Sequence, residues 1–494
     1  MNFLFFFTAF KISNIERPNL LIYNRMFIFP TKKERKQKIN TLITESLSCK
    51  LMSRRVVITG VDCITPLGNS VKESWSNLLN SKQCLTEISH LPNYKTLFEP
   101  HIKHLPTGLR VGKCKPYNWN SVNTLFTSQD HRRMSSMMKT TIAATFHALN
   151  QARLLDTNRQ FPETINPHRV STSVGTGLPA IHDIYEESIS MALKNKKPSP
   201  MFIPKVLGNM IAGAVSIKFN SKGPSQTIST ACATGNNSIM DGYHNIKNNY
   251  SDVAIVGATE DSLHPLTVAG FHRLKSLSTT SNSRPFDKGR DGFVISEGTG
   301  VMILEELEHA KKRIHSGQSN VKILAELVGC GLSSDAYHIT SPMENGKGAQ
   351  FSIEMALRNA NVTVDEVNYV NAHATSTPVG DLAELMAISK TLSDTTTTHH
   401  SPLYISSNKG SMGHLLGASG LVESIFTVLS LQTGIIPHTL NLKEELELPS
   451  ESISSRIKLV KGNPIKVENM RYAISNSFGF GGVNTALLFK KWEQ

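Results

Sequence analysis

Four short segments of the sequence carry side chains that could do chemistry, and each lies beside a predicted strand or helix. The first is Ser229–Gly235, in which Cys232 stands between a β-branched strand and an amphipathic helix over Ala233–Asn248. A thiol at a helix N-terminus experiences partial positive charge, so we expect a lowered pKa and a nucleophilic thiolate. Small neighbours also permit the tight turn of a nucleophile elbow. A buried structural cysteine is the alternative interpretation at this point.

Two histidines occupy the second and third segments. His373 follows a predicted strand in Asn371–Pro378, and α/β proteins place their ligands at the ends of strands. Its alternative role is to cap a turn. His414 ends the glycine-rich segment Asn408–His414 before an apolar helix over Leu415–Leu431, a position that favours a neutral, hydrogen-bond-donating ring. A phosphate-binding loop is the alternative for this segment, although neither GxxxxGK[ST] nor a GxGxxG after a strand occurs.

The fourth segment is the loop Asn476–Asn484, with three glycines and two phenylalanines before the last predicted strand. It is either an ordinary turn or a loop that supplies backbone N–H groups and gates a pocket. The elements that must position all four segments are short apolar, β-branched runs alternating with helical patterns, which predicts α/β architecture with covered sheets. The predicted strands are Val56–Gly60, Val170–Val174, Val253–Gly257, Val301–Leu304, Ile323–Val328, Tyr369–Asn371, Leu403–Ser406, Tyr472–Ser475 and Thr485–Phe489.

The chain divides into three predicted parts. Residues 1–52 are an extension, 53–318 contain Cys232, and 319–494 contain both histidines, with the junction in the polar stretch His309–Asn320. A weak internal sequence similarity supports two related halves, because Ile228–Cys232 and Ile405–Lys409 both lead into a helix.

Charge is concentrated in the extension. Of the 52 Lys/Arg and 39 Asp/Glu, eleven and three lie in residues 1–55, which therefore contribute +8 of the net charge of +13. Such a basic, acid-poor segment is typical of an organellar presequence. A simple extension, or a true start at Met26 or Met52, is the alternative. The mildly basic remainder favours an acidic protein partner over nucleic acid.

Other classes are disfavoured by composition. No apolar run approaches the roughly 18–20 residues of a transmembrane helix. The six cysteines form no CxxC pair, which indicates a reducing compartment and no disulfide framework. His399-His400 has no Cys or carboxylate at ligand spacing, so we expect a surface loop within Ser393–Ser401 and no metal site.

Together the motifs TACATG, NAHATSTPVGD, NKGSMGHLLGASG and NSFGFGGVN resemble those of the elongating β-ketoacyl-[acyl-carrier-protein] synthases. Arg284–Asp287, Arg290–Phe293 and Gly257–Glu260 extend the resemblance over about residues 54–490. Ala374 in the HATSTP form, with the N-terminal extension, is most similar to the mitochondrial enzyme. The resemblance therefore implies the mitochondrial matrix, with the cytoplasm as the alternative.

The resemblance implies a thiolase-like, five-layer αβαβα fold built from two pseudo-symmetric halves. It implies that Cys232 accepts an acyl group from acyl carrier protein and condenses it with malonyl-acyl carrier protein, while carbon dioxide leaves, to give 3-oxoacyl-acyl carrier protein. His373, His414 and Lys409 would complete the catalytic site, and the backbone N–H groups of Cys232 and Phe480 would bind the oxyanion. This is the elongation step of type II fatty acid synthesis.

Supporting roles are also implied by the resemblance. Glu423 and Asp381 would be ionic partners of Lys409, Thr375 and Thr377 would bind the phosphopantetheine arm, and Phe480 would act as a gate. For all of these side chains except Phe480, a purely structural salt bridge or turn hydrogen bond is the alternative. Neither a metal nor a redox cofactor is expected, and the partners would be acyl carrier protein and a second copy of the chain. The pair Arg132-Arg133 resembles part of the carrier-docking region, or is an ordinary solvated pair.

Three related classes fit the residues less well. A degradative thiolase requires a second catalytic cysteine near the C-terminus, and no cysteine follows Cys330. Priming-type synthases and chalcone-synthase relatives use a Cys-His-Asn set, whereas this chain has His414 in the second-histidine motif. A non-catalytic partner subunit typically lacks the nucleophile, which this chain retains.

Overall fold

The computed structural model of the protein describes residues 54–316, 321–393, 401–448 and 456–493. Three predicted features lie outside the described residues: the extension 1–52, the boundary between 318 and 319, and most of the loop 393–401 with its two histidines. The predicted junction His309–Asn320 is in part helical, because its first residues belong to the helix Leu307–His315.

The N-terminal half alternates strands and helices. Its strands are β1 (Val56–Ile64), β2 (Thr86–Glu87), β3 (Arg110–Val111), β4 (Val170–Gly175), β5 (Ser225–Gln226), β6 (Val253–Glu260) and β7 (Gly298–Glu306). Its helices are α1 (Val71–Leu79), α2 (Ser128–Arg133), α3 (Ser136–Gln151), α4 (Ile181–Lys194), α5 (Phe202–Val206), α6 (Met210–Phe219), α7 (Thr234–Lys247), α8 (Pro265–Arg273) and α9 (Leu307–His315). Each main predicted strand is present, and most extend by several residues beyond the apolar run that predicted them.

The C-terminal half has the same character. Its strands are β8 (Ala325–Ser334), β9 (Val367–Asn371), β10 (Leu403–Ser406), β11 (Ile435–Ile436), β12 (Ile457–Leu459), β13 (Ile465–Lys466), β14 (Tyr472–Gly479) and β15 (Val483–Lys491). Its helices are α10 (Lys347–Ala360), α11 (Pro378–Leu392), α12 (Lys409–Met412) and α13 (Ser419–Thr433). The helix predicted over Leu415–Leu431 begins later, at Ser419, because Leu416–Ala418 forms a separate 3₁₀ turn.

The two halves repeat one sheet topology. Numbered along the chain, the five main strands of each half lie in the spatial order 3-2-4-5-1, as β5-β4-β6-β7-β1 and as β10-β9-β14-β15-β8. The first two neighbouring pairs are parallel and the last two antiparallel in both halves. The expectation of two pseudo-symmetric halves is therefore confirmed.

The halves join at one sheet edge and through a shared helical layer. Val56–Ile58 of β1 pair antiparallel with Ala325–Leu327 of β8, so hydrogen bonding continues from one half into the other. Helices α7 and α13 pack against each other between the two halves. Helices α3 and α6 cover the outer face of the N-terminal sheet, and α10 contacts β8 and β15 on the other outer face. This arrangement gives the predicted five layers.

The central layer explains the helical pattern of the sequence. Ile239, Tyr243 and Ile246 of α7 lie in the same buried apolar cluster as Leu421 and Ile425 of α13. These are the residues whose spacing predicts a single apolar face on each helix. Burial of both faces in one cluster fixes the relative position of the two helices, and with it the segments at their N-terminal ends.

Candidate active site

Cys232 lies in a tight turn immediately before α7. The turn is the 3₁₀ segment Ala231–Ala233, and Ala231 has a φ of +49°, a left-handed conformation that is costly for a residue with a Cβ. Thr234 stabilises it, since its Oγ1 accepts the N–H of Thr230 at 2.9 Å and donates to the carbonyl of Ala231 at 2.7 Å. The elbow predicted from small residues around the cysteine is therefore present.

His414 reaches this turn from the C-terminal half. Its Nε2 lies 3.0 Å from the Sγ of Cys232. Its backbone is fixed, because the N–H donates to the carbonyl of Val294 at 2.8 Å and its own carbonyl accepts the N–H of Ser296 at 2.9 Å. The residue precedes the 3₁₀ turn and α13, so it lies farther from the helix N-terminus than the sequence predicts.

His373 lies where the sequence predicts, directly after β9. Its ring centroid is 5.4 Å from that of His414, with the rings nearly perpendicular. The carboxylate of Glu384 accepts the N–H of His373 at 2.9 Å, the N–H of Ala374 at 2.7 Å and the Nδ2 of Asn476 at 3.1 Å. One carboxylate thus holds the backbone that carries this imidazole, and the structure brings Cys232 and both histidines together.

A close helix crossing produces this convergence. A Cβ on Gly235, in the first turn of α7, would lie 2.3 Å from the backbone nitrogen of Leu421. A Cβ on Gly420, in the first turn of α13, would lie 2.8 Å from the Oδ1 of Asn236. Glycine at both positions lets the N-terminal ends of the helices touch, which places the turns before them face to face.

A buried ion pair joins Lys409 to Glu423, and the charge of Lys409 acts electrostatically on both histidines. The Nζ of Lys409 bonds Oε1 of Glu423, and neither side chain is exposed to solvent. Burial lowers the pKa of both His373 and His414 well below its ordinary value, and the Lys409 charge lowers both further. Both imidazoles are therefore neutral at physiological pH, as the sequence predicts for His414.

Asp381 does not pair with Lys409, so this part of the prediction is wrong. Its carboxylate accepts the N–H of Phe286 at 2.8 Å and the N–H of Thr377 at 3.1 Å. Burial raises its pKa to about 7, against the lowering effects of these hydrogen bonds and of Arg290. Asp381 lies in the first turn of α11, where a carboxylate cap binds backbone N–H groups more readily than a distant ammonium.

The expected low pKa of Cys232 is also wrong. Burial raises the pKa of this thiol to about 12, Lys409 opposes the rise, and Glu260 and Glu423 add to it. The partial charge of a helix end cannot compensate for removing a thiolate from water when two buried carboxyl groups lie nearby. The Sγ of Cys232 contacts Nε2 of His414, and the charge of Lys409 opposes the rise in the thiol pKa.

A cavity of about 320 Å³ opens onto these groups. Its walls include the predicted site residues Cys232, His373, His414, Thr375, Thr377 and Phe480. The hydroxyls of Thr375 and Thr377 lie 3.1 Å apart, and the ring of Phe480 is 6.4 Å from that of Phe271. A largely apolar cavity with two hydroxyls and a sulfur in its walls fits a substrate arm whose reacting end lies at Cys232.

Some residues of the site are not apparent from the sequence. Glu384, Ser419 and Glu260 contact the catalytic segments, and the Oε2 of Glu260 accepts the N–H groups of Gly177 and Gly417. Each lies in a strand or helix that reads as ordinary structure. A signal exists for Ser419, because alignment of TACATG with LLGASG places it opposite Thr234 of the other half, and for Glu260, which ends the motif Gly257–Glu260.

The predicted docking pair lies apart from the walls of the cavity that Cys232 lines. Arg132 and Arg133 are exposed at the end of α2, and Arg133 lines a different cavity. Over the residues that the structure describes, no group of three His, Cys, Asp or Glu is arranged to hold a metal ion. The same residues contain no helix of the length and apolarity needed to cross a membrane.

Comparison with known proteins shows the family to which the chain belongs. The sequence pattern of the β-ketoacyl synthase N-terminal domain matches residues 53–310, and that of the C-terminal domain matches residues 324–443. The chain belongs to the β-ketoacyl synthase family. The resemblance and the enzyme class inferred from the motifs, a condensing acyltransferase, are thereby confirmed.

Individual relatives of this β-ketoacyl synthase cover most of the chain. A Saccharomyces cerevisiae 3-oxoacyl-[acyl-carrier-protein] synthase homolog is 51% identical over 90% of this chain and 100% of its own length. A putative mitochondrial 3-oxoacyl-[acyl-carrier-protein] synthase of Schizosaccharomyces pombe is 39% identical over 89% of this chain and 100% of its own length. A solved type II polyketide ketosynthase, in complex with its acyl carrier protein, superposes with a TM-score of 0.73 at 25% identity. The superposition covers 90% of this chain and 100% of the ketosynthase chain.

Proposed function

We propose that this chain lengthens acyl chains by decarboxylating Claisen condensation, with Cys232 as nucleophile and His373 and His414 as hydrogen-bond donors. The reaction joins an acyl group held on Cys232 to malonyl-acyl carrier protein and yields 3-oxoacyl-acyl carrier protein, the elongation step of type II fatty acid synthesis. The observation that carries the assignment is the 3.0 Å contact between Sγ of Cys232 and Nε2 of His414, in a cavity that His373 also lines.

In the first half-reaction the sulfur of Cys232 attacks the thioester carbonyl of acyl carrier protein. A bond forms between this sulfur and the acyl carbon, the bond to the pantetheine sulfur breaks, and the thiol proton passes overall to that leaving sulfur. The negative oxygen of the tetrahedral intermediate lies against the backbone N–H groups of Cys232 and Phe480. Release of free carrier protein before the second substrate enters gives ping-pong order.

In the second half-reaction malonyl-acyl carrier protein occupies the same cavity. His373 and His414 donate hydrogen bonds to its thioester oxygen, where negative charge develops as carbon dioxide leaves. Neutral donors are suited to this task, because they stabilise the enolate without binding the malonyl carboxylate as a counter-ion. The enolate carbon then attacks the acyl carbon on Cys232, and the sulfur departs and regains a proton.

The remaining residues support these steps. Burial keeps both imidazoles neutral, the charge of Lys409 adds to this effect, and Asp381 shapes the loop that carries Thr377. Thr375 and Thr377 bind the phosphopantetheine arm. Phe480 is the gate over Cys232. Every step uses side chains of this chain and the phosphopantetheine of the carrier, so we propose no metal and no redox cofactor.

The decisive experiment measures acyl adducts by intact mass. Acyl-acyl carrier protein should add one acyl group to the wild-type chain and none to Cys232→Ala, which should also lose condensation with malonyl-acyl carrier protein. Cys84→Ala is the matched control, because that thiol lies away from the cavity, and it should behave as wild type. Condensation that survives Cys232→Ala would remove this cysteine as the nucleophile.

We propose acyl carrier protein as the macromolecular partner. The solved relative in complex with its acyl carrier protein supports this, as does the mildly basic body, because an acidic carrier would be attracted to it. Arg132 and Arg133 are exposed and available for docking. Their replacement by Ala should raise the KM for the carrier-bound substrate with little change in kcat, and an unchanged KM would exclude them from docking.

We also propose a homodimer that closes the N-terminal sheet edge. Strand β5 ends the described sheet, pairs there with β4, and has both residues exposed. Helix α6 contacts β5, and α5 contacts α6. Ile217 of α6 is 79% exposed and Ile203 of α5 is 58% exposed, which is unusual for isoleucine. Light scattering should give a dimer for the wild type and a monomer for Ile217→Asp, and a monomeric wild type would contradict the proposal.

Residues 1–52 fit a mitochondrial presequence. Their basic character and the mitochondrial relative in Schizosaccharomyces pombe support a matrix location over the cytoplasm. A fusion of residues 1–52 to a fluorescent protein should enter mitochondria. A diffuse cytoplasmic signal would favour the alternative.

A further inference from the structure

The ring of His414 is held by a hydroxyl on the side opposite the reacting sulfur. Its Nδ1 lies 2.8 Å from the Oγ of Ser419, the first residue of α13. The same Oγ lies 2.9 Å from the backbone nitrogen of Leu415. Both His414 and Ser419 are buried, so water does not compete for these contacts.

The directions of these two hydrogen bonds follow from the groups available. A hydroxyl has one hydrogen to donate and two lone pairs, whereas a backbone N–H can only donate. The Oγ of Ser419 therefore accepts from Leu415. Of its contacts in the described structure, only the Nδ1 of His414 can accept the hydroxyl hydrogen. A neutral imidazole with an accepting Nδ1 carries its proton on Nε2.

The N-terminal half contains the same hydroxyl arrangement, and there the donor and the acceptor of each hydrogen bond are unambiguous. Thr234 occupies the matching position at the start of α7, and its Oγ1 likewise accepts the N–H four residues earlier, that of Thr230. Its hydroxyl hydrogen goes to the carbonyl of Ala231, which can only accept. In the C-terminal half the hydroxyl of Ser419 contacts the histidine instead.

We propose that Ser419 is a positioning residue that fixes the proton of His414 on Nε2, so that this nitrogen faces Cys232 and the substrate oxygen as a donor. This inference rests on the proposed function and deepens it, because it says what makes His414 a donor. With Ser419→Ala the ring can place its proton on either nitrogen. The form with a bare Nε2 offers the enolate no hydrogen bond.

The kinetic test compares three variants in both half-reactions. Ser419→Ala should lower kcat for malonyl decarboxylation about fivefold to tenfold, the usual range for one lost hydrogen bond, with little change in KM. Acyl transfer to Cys232, measured by intact mass, should change far less. Ser419→Thr keeps the hydroxyl and should restore decarboxylation. Ser430→Ala is the control, since it removes from the same helix a buried hydroxyl that has no partner among the described residues.

Nitrogen-15 NMR of the imidazoles tests the proton position without relying on activity. The His414 signal is the one absent from His414→Gln. In the wild type it should show a protonated Nε2 and a bare Nδ1, and in Ser419→Ala it should show exchange between both forms. A wild-type proton on Nδ1 would overturn the proposal even if Cys232 is the nucleophile. Equal losses in both half-reactions for Ser419→Ala would also overturn it, because they indicate a merely structural role.

Discussion

The two halves of the molecule contain the same turn at the start of their central helix, yet only one of the two holds a nucleophile. In each half a 3₁₀ turn begins with a residue of positive φ, Ala231 at +49° and Leu416 at +47°. The next residue is Cys232 in one half and Gly417 in the other. After one more residue a hydroxyl accepts the N–H four positions earlier, and a glycine then allows the helices to touch.

The two turns share one backbone conformation but carry different side chains, so the conformation alone does not determine the chemistry. The N-terminal turn places the sulfur of Cys232 in the cavity wall. The glycine of the C-terminal turn has no side chain and donates its N–H to Glu260. The C-terminal half compensates in the segment before its turn, where Lys409 and His414 have no counterparts of the same chemistry. One half therefore supplies the covalent step, and the other supplies neutral donors and buried charge.

The largest test of this division removes the donors while leaving the nucleophile in place. His373→Ala and His414→Ala should each lower malonyl decarboxylation about a hundredfold to a thousandfold, since each removes one donor from the developing oxyanion. Acyl transfer to Cys232 should fall much less. Product carbon dioxide and intact mass measure the two steps separately. His315→Gln, a change at an exposed imidazole in α9, is the control.

Equal losses in the two steps would break the comparison. They would mean that the imidazoles serve the sulfur as much as the malonyl group. A decarboxylation rate that survives either substitution would remove that histidine from the donor pair.

The sequence predicts the strands and helices of both halves better than it predicts the pKa values and hydrogen-bond partners of the buried side chains. The small residues around Cys232 predict the N-terminal turn, whereas the C-terminal turn Leu416–Ala418 lies within the helix predicted from Leu415. The apolar spacing of α7 and α13 predicts the faces that bring the two turns together. The pKa of Cys232 could not be predicted, because its rise depends on burial and on Glu260 and Glu423, which are distant in sequence. The same applies to Asp381, whose partners are N–H groups brought close only by folding.

The second test concerns stability at the segment that only the C-terminal half possesses. Lys409→Met leaves Glu423 buried without its ionic partner, so the free energy of unfolding should fall by about 3–5 kcal/mol. Lys115→Met breaks the exposed pair with Glu73 in the N-terminal half and should cost less than about 1 kcal/mol. Urea unfolding at one protein concentration measures both. Similar losses for the two variants would show that burial of the Lys409 pair does not set its contribution.

A smaller effect is expected at the helix crossing, and it should be unequal between the halves. Gly235→Ala directs a methyl group at the backbone of Leu421 and should cost about 1–3 kcal/mol. Gly420→Ala first meets side-chain oxygens of Asn236 and Ser477, and its nearest backbone atom is 3.0 Å away, against 2.3 Å for Gly235→Ala, so its cost should be lower. Gly213→Ala, in a helix with open space around that position, should stabilise the protein slightly. Equal costs at all three glycines would contradict the crossing.

The smallest expected effect is an absence of pH dependence, which tests whether the C-terminal donors are neutral. Burial lowers the pKa of His373 and His414 well below 6.5, with Lys409 adding to the shift, so both rings stay neutral as the pH falls from 7.5 to 6. Malonyl decarboxylation by Cys232→Ala, in which the covalent step is absent, should therefore keep a constant rate over this range. An imidazole with an ordinary pKa of 6.5 would be about one-quarter neutral at pH 6. A fall in rate to that level would show that burial, with the added charge of Lys409, does not hold the donors in their neutral form.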